Sequence, residues 1–257
     1  MLREVDGKYG KILVSDKDRY VGRSFLEYGE FSEAEAEIFN FAVNSDSVVA
    51  DIGANFGAHT LVFARKAKHV YAIEPQTPVY DALCKTIELN GLKNVTAINA
   101  AAGDAYGEIP CVNLDFEVEN NFGGLELGGK SPADCTYQVP LIKFIAPVSF
   151  MKIDVEGMEL GVLRGSRGMI MEYKPVIYVE NDRKDQSPLL IDYLKEMGYF
   201  CYWHMTPLYN PGNVRGNPVN VFGDACSLNM LCLPEQVDVP GLLPVTTPLH
   251  PHCEYRQ

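Results

Sequence analysis

The 257-residue chain has no run of about 18 or more apolar residues, so none of it reads as a membrane-spanning helix. Its opening, Met1 to Lys17, is charged and holds no apolar core of the kind a secretory leader needs, so no leader is expected. Basic tracts are missing too. Lys and Arg total 22 against 34 Asp and Glu, a net charge of −12, which disfavours a nucleic acid as partner. The seven cysteines are scattered without a Cys-x-x-Cys pair. That argues against a zinc ribbon or a disulfide frame and suits a reducing compartment, the cytoplasm. What remains is a chain with 47% hydrophobic residues, enough to bury one α/β core. A small or uncharged substrate fits this composition best; the sequence is silent on oligomeric state.

The most informative stretch is Val49 to Gly57. An apolar run, Ser47 to Ile52, reads as a buried strand; it stops at a turn holding Gly53 and Gly57, and a helical stretch from Ala58 follows. Strand, glycine turn and helix let a backbone approach a nucleotide-like ligand. The spacing is Asp-x-Gly-x-x-x-Gly, with Asn55 where a dinucleotide site wants its second glycine. Asp51 would repel a pyrophosphate but suits an ammonium group, which favours S-adenosylmethionine over NAD. His59, in the first turn of the following helix, is placed to orient that cofactor. A second short strand ends on Glu74, about 20 residues past the glycine turn, where a carboxylate accepts from ribose hydroxyls. An NAD-dependent oxidoreductase on a similar sheet and a non-catalytic binding module are the competing readings.

Elsewhere strands alternate with helices, describing a mostly parallel sheet with an antiparallel edge. Residues 8–28 read as a hairpin. Ser32 to Glu35 reads as a capping box, opening a helix with Ala34, Ile38, Phe41 and Ala42 inward. Thr77-Pro78 opens the next helix, and Asn94 to Ala102 reads as the third core strand. Residues 103–147 break the rhythm: Glu108 to Leu114 and Thr136 to Phe144 read as strands around a polar, glycine-rich lid loop, Asn120 to Pro132.

A second motif, Met151 to Gly157, puts Asp154 at the end of the fourth core strand and Glu156 just beyond. Glu180 and Asn181 end the fifth. These strand ends lie side by side in a parallel sheet, so the acids can act as general base. Asp154, Glu180 and Asn181 are alternatively ligands for a divalent cation such as Mg2+. His204, ending a later strand, is the histidine best placed to take a proton near neutrality. His250 and Cys253 lie in a tail whose composition suggests no site.

Six stretches together resemble the FkbM family of S-adenosylmethionine-dependent methyltransferases: Tyr28-Gly-Glu-Phe-Ser-Glu33, Asp51-Ile-Gly-Ala-Asn-Phe-Gly57, Ile73-Glu-Pro75, Lys152-Ile-Asp-Val-Glu-Gly157, Lys174-Pro-Val-Ile-Tyr-Val-Glu-Asn181 and Tyr202-Trp-His204. The resemblance implies a class I methyltransferase (Rossmann-like) fold, a mostly parallel seven-stranded sheet with helices on both faces and an antiparallel edge strand. It implies O-methylation of a hydroxyl on a sugar, glycan or secondary metabolite. By position, Asp51, Gly53, Asn55, Gly57 and Glu74 are similar to the family's cofactor contacts; Asp104, just past the third strand, is counted with them. Asp154, Glu156 and Glu180 match its active-site acids. The expected organisation is an N-terminal hairpin and capping helix (1–45), a cofactor-binding domain (46–233, with 103–147 as inserted lid) and an extended tail (234–257).

Overall fold

The computed structural model describes residues 1–112, 114–127, 134–141 and 147–247. The chain opens with an antiparallel hairpin, β1 (Leu2–Gly7) and β2 (Gly10–Ser15), followed by α1 (Val21–Tyr28) and α2 (Glu33–Ala42). The expected hairpin over 8–28 is therefore displaced: 21–28 is a helix, burying Val21, Phe25 and Tyr28. The expected inward face of α2 is also corrected, because Phe41 is 94% exposed while Ala36 and Phe39 are buried. The reason is aromatic packing: Phe39 sits with its ring centroid 4.8 Å from Phe63 and 4.9 Å from Tyr178. Burying a ring of this size contributes roughly 2–3 kcal/mol. That outweighs the apolar pattern read along the helix.

The core alternates strand and helix from there: β3 (Val48–Ile52), α3 (Ala58–Ala64), β4 (His69–Ile73), α4 (Thr77–Leu89) and β5 (Val95–Ile98). The expected third strand breaks at Asn99, and β6 (Ala101–Ala102) joins a separate small sheet with β7 (Gly107–Cys111) and β8 (Asp134–Val139). Next come β9 (Phe150–Ile153), α5 (Glu159–Gly165), α6 (Arg167–Tyr173), β10 (Val176–Glu180) and α7 (Ser187–Glu196). The chain then adds β11 (Phe200–Pro207), β12 (Cys226–Leu233) and a short β13 (Leu243–Pro244).

The central sheet has the order β13-β11-β12-β10-β9-β3-β4-β5. β10, β9, β3, β4 and β5 run parallel, while β12 is antiparallel to both β10 and β11. Both sheet faces are covered, which is why the parallel strands read as nearly continuous apolar runs. Ala50, Ile52, Met151, Ile153, Ile177 and Val179 face one core. Val49, Phe150 and Tyr178 face the other, against α2 and α3. Connections leave β3 in one direction towards β4 and return to β9 on its other side. Their carboxyl ends therefore flank a crevice, the switch point where open α/β sheets bind ligands. Among the described residues no helix is long and apolar enough to cross a membrane.

Candidate functional site

A cavity of about 350 Å3 opens at that switch point. Its first wall is the β3–α3 turn. Gly53 (φ +79°) lies so close to the neighbouring strand end that a Cβ there would stand 1.8 Å from the Asp154 carbonyl oxygen, so the position requires glycine. Asn55 takes the left-handed region at φ 52°. The Asn55 amide donates to Glu74 Oε2 at 3.0 Å, and the Gln76 amide donates to Oε1 at 2.9 Å. One buried carboxylate thus ties the glycine turn to the end of β4. Burial pushes the Glu74 carboxyl up to about 7, against the pull of those two amides.

The second wall is the β9–α5 turn with the end of β10. Glu156 sits at φ 54°, a strained setting for a side-chain-bearing residue, followed by Gly157 at φ 94°. Asp154, Glu156 and Glu180 each present a carboxylate oxygen, all within 4.8 Å of one another. Two carry a cation from the chain: Lys152 Nζ is 3.1 Å from Asp154 Oδ2, and Arg183 donates to Glu156 Oε2 at 2.9 Å. Glu180 Oε2 is buried without a hydrogen-bond partner. Burial, then the neighbouring acids, raise Glu156 to about 7 and hold Glu180 well above the usual carboxylate range.

Gly53, Asn55, His59, Glu74, Asp154, Glu156 and Glu180 all line the cavity. Asp51, Gly57, Asp104, Asn181 and His204 do not. Asp51 is fully buried behind the wall, accepting from Thr60 Oγ1 at 2.6 Å, with Lys152 Nζ 3.7 Å away. Gly57 shapes the turn from behind, at φ 95° and packed towards Leu83. Asp104 is an exposed residue beside Gly165. Asn181 lies outside the lining and donates its amide to Met230 Sδ at 3.3 Å, while the carboxylate that joins Asp154 and Glu180 is that of Glu156. His204 bonds through Nδ1 to the Tyr178 hydroxyl at 2.7 Å, and burial lowers its pKa to about 4. The structure therefore does not bring His204 to the cavity, and burial leaves its ring a weaker base than a free imidazole.

Glu35 and Lys152 are among the lining residues to which the sequence gave no part in the site. Glu35, read as part of a capping box, is buried in the cavity wall and accepts from Asn229 Nδ2 at 3.1 Å; Ser32 makes no side-chain cap. Burial raises its carboxyl above the ordinary range. Its neighbour His59 has an unpartnered buried Nε2, 3.7 Å from Glu35 Oε2, and burial holds the ring neutral. The other is Lys152, whose signal was present: a lysine inside an apolar strand needs an acidic partner, and Asp154 follows two residues later. The first half of the expected lid loop is anchored, because Phe122 is buried and its amide donates to Asp18 Oδ2 at 3.2 Å. Residues 128–133, Phe144, His250 and Cys253 lie outside the described residues.

The parallel sheet, its reversed outer strands and a cavity at the switch point define the class I methyltransferase architecture. A profile of the methyltransferase FkbM domain matches residues 51–201, more than half of the chain, and the chain belongs to that family. Over 63 residues, 24% of this chain and 23% of the relative, it is 41% identical to an uncharacterised Methanocaldococcus jannaschii protein. Over 62 residues, 23% of this chain and 25% of the relative, it is 44% identical to tRNA(Phe) (4-demethylwyosine(37)-C(7)) aminocarboxypropyltransferase of the same organism. The matched stretches span about a quarter of the length of those curated relatives. The crystal structure of a methyltransferase FkbM from Methylobacillus flagellatus is 17% identical, with a TM-score of 0.50 over 77% of this chain and 50% of that one. At that identity the likeness is one of fold.

Proposed function

We propose that the chain is an S-adenosylmethionine-dependent methyltransferase acting on a hydroxyl oxygen of a small sugar, glycan or secondary metabolite. The observation that carries the reading is one cavity with two unlike walls: the glycine turn and Glu74 on one side, Asp154, Glu156 and Glu180 on the other. Bound S-adenosylmethionine supplies an electrophilic methyl carbon. On this reading Glu74 exchanges its bond to the Asn55 or Gln76 amide for ribose hydroxyls, and Gly53 and Asn55 let the backbone approach. Glu156, titrating near neutrality, takes the acceptor's proton with Glu180 beside it. Arg183 orients Glu156 for that step.

A nucleic-acid acceptor is disfavoured on electrostatics. The chain carries 34 Asp and Glu against 22 Lys and Arg, and the cavity's lining lysine, Lys152, already lies beside Asp51 and Asp154, so a phosphate backbone would meet net repulsion. A divalent metal is disfavoured on fit, since two of the three clustered carboxylates already lie beside a cation of the chain, Asp154 beside Lys152 and Glu156 beside Arg183. The test is a turnover screen with methyl-labelled S-adenosylmethionine against sugars, polyols and phenols, with the by-product identified. S-adenosylhomocysteine with a new O-methyl group is the expected outcome. Methylthioadenosine as by-product would instead mean aminocarboxypropyl transfer, and stabilisation by NAD alone would mean a dehydrogenase.

A further inference from the structure

Asp51, the acid of the glycine turn, is the residue whose sequence position best suits a cofactor ammonium, yet it has no access to the cavity. It is 0% exposed, and the ammonium beside it belongs to the chain itself. Lys152 lies opposite Asp51 in the β3–β9 register. Its side chain is 4% exposed, with Nζ 3.7 Å from Asp51 Oδ1, 3.1 Å from Asp154 Oδ2 and 3.3 Å from the Gly53 carbonyl oxygen. Two carboxylates and one ammonium leave a net charge of −1, and the part of it that meets the cavity is Asp154, whose side chain is 36% exposed.

We infer that Asp154, held in place by Lys152, is the partner of the cofactor's α-ammonium group, and that Asp51 acts only from behind, as the buried counter-charge of Lys152. Lys152 is thus a positioning residue. It bridges the ends of β3 and β9 and fixes one Asp154 oxygen, leaving the other for a ligand. Burial opposes the lysine's charge, but Asp154, Asp51 and Glu35 outweigh it and hold its pKa above the ordinary lysine value, so it stays an ammonium throughout. The inference rests on the S-adenosylmethionine reading above.

Calorimetry with S-adenosylhomocysteine, which keeps the amino-acid end, and adenosine, which lacks it, separates the roles. Asp154→Asn is expected to weaken S-adenosylhomocysteine at least tenfold and adenosine less than twofold. Lys152→Met should show the same selective loss, and Lys152→Arg should restore binding to within threefold. If Lys152→Met does not fold, the double variant Asp51→Asn with Lys152→Met removes the buried pair together and leaves Asp154 without its tether. Unchanged S-adenosylhomocysteine affinity in Asp154→Asn overturns the inference, as does a Lys152→Met loss that is equal for both ligands. Wild-type protein binding neither ligand refutes the cofactor reading itself, and this inference with it.

Discussion

Two strand-to-helix turns meet at the cavity, and they are built alike. The β3–α3 turn runs from Asp51 through Gly53 and Asn55; the β9–α5 turn runs from Asp154 through Glu156 and Gly157. Each has a glycine at positive φ, and each holds one side-chain-bearing residue in the left-handed region, Asn55 at 52° and Glu156 at 54°. Their acids differ in depth. Asp51 lies one residue inside its strand, faces a lysine and a threonine, and is sealed. Asp154 lies one residue past its strand and reaches the opening. A shift of two residues along a strand moves a carboxylate from structural counter-charge to candidate ligand, because strand termini are where backbone and solvent meet.

The largest test of the comparison is glycine replacement. Gly53→Ala combines a left-handed φ with a backbone clash and should cost about 4 kcal/mol or more, measured by urea unfolding. Gly157→Ala meets only the end of Arg183, at 3.0 Å, which can move. Its expected cost is about 1–2 kcal/mol, that of the φ alone. Equal costs would remove the distinction between a wedged turn and an open one.

Next in size are the acids. Asp51→Ala leaves a buried lysine short of a partner and should destabilise by about 3 kcal/mol. Asp154→Ala, screened by solvent, should cost about 1 kcal/mol or less. Reversal of that order in thermal or urea melts would mean that the exposed acid, not the sealed one, holds the strand ends together.

Smaller again is the pH response of the free protein. Glu74 and Glu156, one from each wall, titrate at about 7 when folded and lower when unfolded. From about pH 6.5 to about 8 the unfolded chain carries both ionised while the folded chain still gives up protons, so stability falls as pH rises. The expected loss is about 1 kcal/mol per group. His59 and His204, held neutral by burial, act in the opposite sense below their ordinary pKa. Glu74→Gln should lessen the alkaline slope by the share of that one group, about 1 kcal/mol over the range; an unchanged slope counts against a buried titrating Glu74. The smallest expected effect is none: EDTA should leave turnover intact, and loss restored by magnesium would mean that the second wall holds a metal.

Much of the architecture was legible along the chain because its signals are local. The apolar strand at Val49 to Ile52, the glycines needing positive φ, and Thr77-Pro78 at a helix start each depend on a few adjacent residues. Boundaries went astray where a distant partner decided them. Phe41 points to solvent and Phe39 inward because Phe63, Phe150 and Tyr178 converge on Phe39. Glu35 fits a capping box by spacing, yet Asn229, nearly two hundred residues on, donates to its carboxylate.

The sequence by itself determined that two acidic glycine turns end strands of one open sheet, since strand, turn and helix propensities are short-range. Only the tertiary structure decided which acid each turn offers. Sheet register sets Lys152 opposite Asp51 and leaves Asp154 at the mouth. The packing of β10 turns His204 away to Tyr178. Those outcomes depend on which strands become neighbours, and burial and charge, which set what a carboxylate or imidazole can do, are properties of neighbours.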